Sequence, residues 1–90
     1  MLRQEYKSLL RQFFSKEIQN YRAQSKLTQE QISELLCMAP RSYVDLENGT
    51  YGCSALTVVL FLLQLKDEEI LQLLRDVKKE LEEADRHGAA

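Results

Sequence analysis

Proline and glycine are nearly missing from this 90-residue chain: Pro40, Gly49, Gly52 and Gly88 are the whole complement. With so little punctuation and no alternating Val/Ile/Thr run, strands and hairpins find no support. Histidine occurs once, as His87, close to the C-terminal end. There is no Cys/His pair, glycine-rich phosphate loop or metal-ligand cluster, so neither an enzyme nor a cofactor or metal site is expected. The two cysteines, Cys37 and Cys53, are not spaced as CxxC and have no histidine neighbours. They read as reduced thiols rather than a disulfide framework or a zinc site. Long apolar runs are lacking too. The longest, Ala55 to Leu63, is interrupted by Thr57 and falls far short of the ~20 residues a membrane span needs. Charges at Arg3, Glu5 and Lys7 leave no room for an apolar export segment, so a cytoplasmic location is expected. Nor is there an excess of positive charge: the net value of -2 and pI of about 5.4 argue against a coat-like nucleic-acid binder.

What is present is helical periodicity, almost end to end. The length and a hydrophobic content of 44% suit one domain, residues 1–90, with one core. A domain this small is marginal alone, and burying more surface in an oligomer would help. The spacing predicts a first helix over 2–24, with Leu2, Tyr6, Leu9, Leu10, Phe13, Phe14, Ile18 and Tyr21 on one face. Thr28 and Gln31 are spaced as a capping box for a second helix that buries Ile32, Leu35 and Leu36. A tight turn through Cys37, Met38 and Ala39 leads to Pro40, suited to the first turn of a short third helix that ends at Gly49. Ser54 can cap a fourth helix over 55–65, and a fifth follows over 67–85, with a frayed tail from Arg86. The fourth helix is apolar all round and must therefore be covered on all sides. In the fifth, Ile70, Leu74, Val77, Leu81 and Ala84 form a heptad seam, with Leu71 and Leu73 on its flanks.

Two short helices joined by a tight turn over residues 28–49 are the arrangement that places the second helix in a DNA major groove. Tyr43 and Leu46 would face the core, turning Arg41, Ser42, Val44 and Asp45 outward or to the flanks. The ordered set Arg22, Leu27-Thr28-Gln29-Glu30, Ile32, Leu35-Leu36, Leu46-Glu47-Asn48-Gly49 and Ser54 goes further. It resembles the Cro/phage-repressor class of helix-turn-helix proteins, often called XRE-type, over residues 15–65. The resemblance implies an all-α, compact five-helix fold like that of the lambda repressor, with an extended N-terminal helix and a C-terminal heptad helix. It also implies a sequence-specific transcriptional regulator, a repressor in the first instance, whose partner is double-stranded DNA. Gln29 would touch a phosphate or base edge, Arg41, Ser42, Val44 and Asp45 the groove, and Asn48 a phosphate. Arg22 and Glu47 match a structural salt bridge of the family.

The sequence departs from that family at four places. Cys37 stands where a turn glycine is usual, Ala39 where a Ser/Thr cap is usual, and Asp45 brings a negative charge near phosphates. The segment Thr50-Tyr51-Gly52-Cys53 lacks the usual cations. From Lys26 to Ser54 there are two basic residues against four acidic ones, although basic side chains normally supply most of the affinity. Binding is then either weak or reliant on a dimer and on basic residues of the first helix. Two heptad seams pairing across a two-fold axis would hold two recognition helices about 34 Å apart, with Leu56, Leu60, Leu63, Leu74 and Leu81 at the homodimer interface. The seam could instead pack on the chain's own first helix. The rival reading is a protein-interaction module, antitoxin-like or an accessory factor, whose apolar C-terminal face binds a protein partner.

Overall fold

A computed structural model of the chain shows five α-helices: α1 (Arg3–Gln24), α2 (Gln29–Leu35), α3 (Pro40–Glu47), α4 (Ala55–Leu62) and α5 (Asp67–Gly88). No strand occurs among the described residues, which are 3–50 and 52–88, with side chains described over 5–50 and 52–86. Leu2, Tyr51 and the side chains of Arg3 and His87 lie outside the described residues.

Most helix ends follow from nearby residues. Thr28 Oγ1 accepts from the Gln31 amide at 3.1 Å, and Gln31 Oε1 accepts from the Thr28 amide at 2.9 Å, completing the capping box of α2. Ser54 Oγ accepts from the Thr57 amide at 3.1 Å and starts α4. Pro40 opens α3, while Ala39 before it contributes no side-chain hydrogen bond. Glu69 Oε1 accepts from the Lys66 amide at 2.9 Å, and Asp67, Glu68 and Glu69 sit at the positive end of the α5 dipole.

Helices α1, α2 and α3 all end through a residue with left-handed backbone: Lys26 (φ 57°), Cys37 (φ 53°) and Gly49 (φ 77°). Each end closes two hydrogen bonds back onto its last turn. These run from the Lys26 and Leu27 amides to Ala23 and Arg22, from Cys37 and Met38 to Glu34 and Ser33, and from Gly49 and Thr50 to Leu46 and Asp45. Only the third position has the residue that meets this conformation without a Cβ penalty. Because Cys37 is exposed, Cys37→Gly should relieve roughly 1 kcal/mol of strain, partly offset by the entropy glycine adds to the unfolded chain. A thermal melt is expected to move up by a few degrees; a downward shift would mean the thiol side chain contributes packing that exposure does not reveal.

Ile18, Ile32, Leu36, Tyr43, Leu46, Phe61 and Leu73 form one buried cluster to which every helix, or its last turn, contributes. Helix α3 lies against both α1 and α2, and α1 also carries α5. The Tyr21 and Phe61 rings meet edge to face at 5.8 Å, a favoured aromatic geometry.

Five expectations are corrected. Leu35 is 39% exposed, so α2 buries Ile32 and Leu36 but not Leu35. Helix α5 runs on to Gly88 instead of fraying from Arg86, and the Tyr6 hydroxyl donates to the Asp85 carboxylate at 2.7 Å, tying its last turns to the start of α1. Helix α4 stops at Leu62, because the Gln64 and Leu65 amides tighten onto Phe61 and Leu62 in three-residue turns. The α5 seam is rotated: Leu73 is buried (4% exposed) and Leu74 is half exposed (50%). Packing against one neighbouring helix selects a single stripe, Ile70–Leu73–Val77, and leaves Leu71 and Leu74 outside. Finally, α4 is covered on one side only. Thr57 and Phe61 are buried, whereas Leu56, Val59 and Leu63 are 60%, 52% and 70% exposed.

Candidate nucleic-acid interface

Helix α3 is anchored by one face. Tyr43 and Leu46, three residues apart, are both fully buried, which turns the intervening positions away from the core. Arg41 and Asn48 are exposed, and Ser42, Val44 and Asp45 are part-exposed. The side chains of Arg41, Ser42, Asp45 and Asn48 have no hydrogen bond or ion pair within the described residues. Polar groups are therefore available along the outward side of a short helix, which is the geometry needed to meet base edges.

The orientation of α3 is set by a cluster around Glu47, in its last turn. Arg22 Nε lies 2.5 Å from Glu47 Oε1, and the side chains are 25% and 6% exposed respectively. The Tyr43 hydroxyl, one turn earlier on α3, donates to the same oxygen at 2.7 Å. Gln29 Nε2 donates to Glu47 Oε2 at 3.0 Å, and Arg22 Nη1 donates to the Leu27 carbonyl at 3.3 Å. One carboxylate thus joins α1, α2 and α3. Burial opposes its ionisation, but the hydrogen bonds from Arg22, Tyr43 and Gln29 outweigh that and hold its pKa below the usual carboxylate value. The hydrogen bond to Glu47 raises the pKa of Arg22, so the pair stays ionised. Burial, followed by the Glu47 carboxylate, pushes the Tyr43 hydroxyl up, and it remains a donor.

A second anchor was invisible in the sequence. The buried Ser15 hydroxyl lies 2.8 Å from the Leu46 carbonyl and 3.0 Å from that of Glu47. It satisfies acceptors at the open end of α3. Nothing in the spacing of α1 marks Ser15 for this role. The role of Tyr43 was partly legible, since Tyr43 and Glu47 stand four apart and face each other on one helix.

Gln29 sits at the N-terminus of α2 with its amide aimed at Glu47. A carboxylate only accepts, so the amide nitrogen must be the atom facing it, and one of its two N–H groups remains free. Among the leucines expected at a dimer interface, Leu56, Leu63 and Leu74 are exposed. Leu60 is packed against the chain's own core and Leu81 is half-buried. Val59 and Leu71, which the sequence reading did not single out for this role, are exposed as well.

Among the described residues, no group of His, Cys, Asp and Glu could hold a metal ion, and no helix is long and apolar enough to cross a membrane. Burial pushes the Cys53 thiol up to about 11, which keeps it protonated and unreactive at neutral pH. A sequence profile described as helix-turn-helix matches residues 18–65, more than half of the chain, from core residue Ile18 to the turn after α4. Comparison with curated proteins and with solved structures finds no match.

Proposed function

Because the chain belongs to the helix-turn-helix family of the XRE type, we propose that it is a sequence-specific transcriptional repressor, acting in the cytoplasm as a homodimer that inserts α3 into the major groove of double-stranded DNA. The family itself is one of DNA-binding regulators and is not typically enzymatic. The observation that carries the finer reading is the division of α3 into a buried Tyr43/Leu46 side and an outward side with unpartnered Arg41, Ser42 and Asp45.

Within this reading Arg41 reads guanine, since its guanidinium can donate to O6 and N7 together. Asp45 accepts from a cytosine amino group, Val44 meets a thymine methyl and Ser42 serves either base type. Asn48 and the free N–H of Gln29 hold phosphates and set the register. The exposed stripe of Leu56 and Val59 on α4 and Leu63 at its C-cap, with Leu71 and Leu74 on α5, pairs with its copy across a two-fold axis. That pairing sets two copies of α3 one turn of DNA apart, about 34 Å. The same apolar face favours a second reading, a module that docks on a different protein.

Selection of bound duplexes from a random pool with the full chain tests the proposal. An enriched pseudo-palindrome with half-sites about 10 base pairs apart is expected; a pool that stays random after repeated rounds overturns it and leaves the partner-docking reading. On the selected site, Arg41→Ala should weaken discrimination at one base pair by about 1–3 kcal/mol. If the variant ranks all single-base changes as the parent does, Arg41 is not a reader.

A further inference from the structure

The segment after α3 carries no cation, yet the fold brings two cations to it from elsewhere. Arg11 Nε lies 3.5 Å from the point where a Cβ on Gly52 would stand. Arg11 and Lys7, one helical turn apart on α1, line a cleft of about 280 Å³ with Gly52, over an apolar floor that includes Leu10, Phe14 and Val58. Both are exposed, and neither has an ion pair or hydrogen bond among the described residues. Among the described residues, no carboxylate lines the cleft, in a chain whose net charge is -2.

The position is not accidental relative to α3. Ser15, one turn beyond Arg11, is hydrogen-bonded to the carbonyls of Leu46 and Glu47, so α1 crosses the end of α3 at a fixed point. From there the rise of α1 carries Arg11 and then Lys7 about 6 Å and 12 Å along the helix, beside the chain that leaves α3. Where a recognition helix leaves the groove, the nearest ligand is the phosphate backbone, and cations there position the protein without reading sequence. The apolar floor gives the long stems of both residues a surface to lie on while their charged heads stay in solvent.

We infer that Lys7 and Arg11 form a phosphodiester clamp on α1 that takes the place of the cations missing between α3 and α4. The inference rests on the DNA-binding reading above. It assigns backbone contact to a helix that the helix-turn-helix pattern uses only from Ile18 onward.

The experiment uses the full chain, the duplex recovered by selection, and affinities measured over a salt series. Lys7→Gln/Arg11→Gln is compared with Lys78→Gln/Lys79→Gln, which removes the same charge from exposed positions on α5. Losing two phosphate contacts should lower the slope of log affinity against log salt by about 1.8, with base preferences and melting temperature unchanged. The α5 control should keep the parental slope. A parent that retains no duplex overturns the DNA-binding reading and the clamp together. A parent that binds while the α1 variant keeps its slope, or while the control loses as much, overturns the clamp alone.

Discussion

Replacing Arg22 with methionine is expected to lower folding stability by about 3 kcal/mol, because it leaves a carboxylate buried without its cation. Glu47 is 6% exposed and Arg22 25%, so the loss belongs at the lower end of what broken buried pairs show. In a domain of this length it corresponds to a drop in melting temperature on the order of 15 °C. Tyr43 and Gln29 still donate to the carboxylate, but two neutral donors do not replace a guanidinium.

The effect should depend on pH in a defined direction. The folded pKa of Glu47 lies below its ordinary value of 4.5. Its ionised form therefore contributes stability that is complete above about pH 4.5 and is lost as pH falls through the folded pKa. In the variant the cation is gone, burial dominates, and protonation no longer removes anything useful. The gap between parent and variant is thus expected to narrow on acidification from pH 7. Urea unfolding at pH 7 and again below about pH 4.5 measures it. The double variant Arg22→Met/Glu47→Leu should recover part of the loss, since no unpaired charge is left buried, although the buried Tyr43 hydroxyl then lacks its acceptor. A single variant within about 0.5 kcal/mol of the parent at pH 7 would show that Glu47 is solvated well enough to stand alone.

Leu63→Glu should have the other large effect, and on binding rather than folding. At 70% exposure Leu63 is the most exposed of the large apolar side chains described, so the monomer should keep its stability within about 0.5 kcal/mol. In the proposed dimer, however, the change sets two carboxylates near the two-fold axis. Sedimentation should report a dimer for the parent and a monomer for the variant. Loss of the second half-site removes the gain from bivalent attachment, so affinity for a pseudo-palindromic duplex is expected to fall about 10²–10⁴-fold. On a single half-site the two proteins should bind alike. A parent that sediments as a monomer, or a variant that binds the whole site as the parent does, rejects this face as the pairing surface.

How far the site was legible depends on the range of the interaction behind each feature. The Thr28/Gln31 box, Pro40 opening α3, the left-handed Gly49 and the Ser54 cap were all readable, because their partners lie within five residues along the chain. Even the departures from the family pattern were readable: Cys37 takes the left-handed conformation and Ala39 caps nothing. The pairing of Arg22 with Glu47, 25 residues apart, came from the family likeness and not from any local rule. The i, i+4 spacing of Tyr43 pointed to its use of Glu47 only in part, and the use of the same carboxylate by Gln29, 18 residues away, came from neither.

The helices themselves, their caps and the inward turn of Tyr43 and Leu46 were determined by the sequence alone, since periodicity and capping are settled within one or two turns of backbone. Tertiary packing decided which stripe of α5 is buried, that Leu73 rather than Leu74 enters the core, and that α4 keeps an open apolar side. It also placed Ser15 against the end of α3, across 31 residues of chain, and Arg11 beside Gly52. Such features depend on where one helix lies against another, and a helix apolar on several faces does not specify which face its neighbour will take.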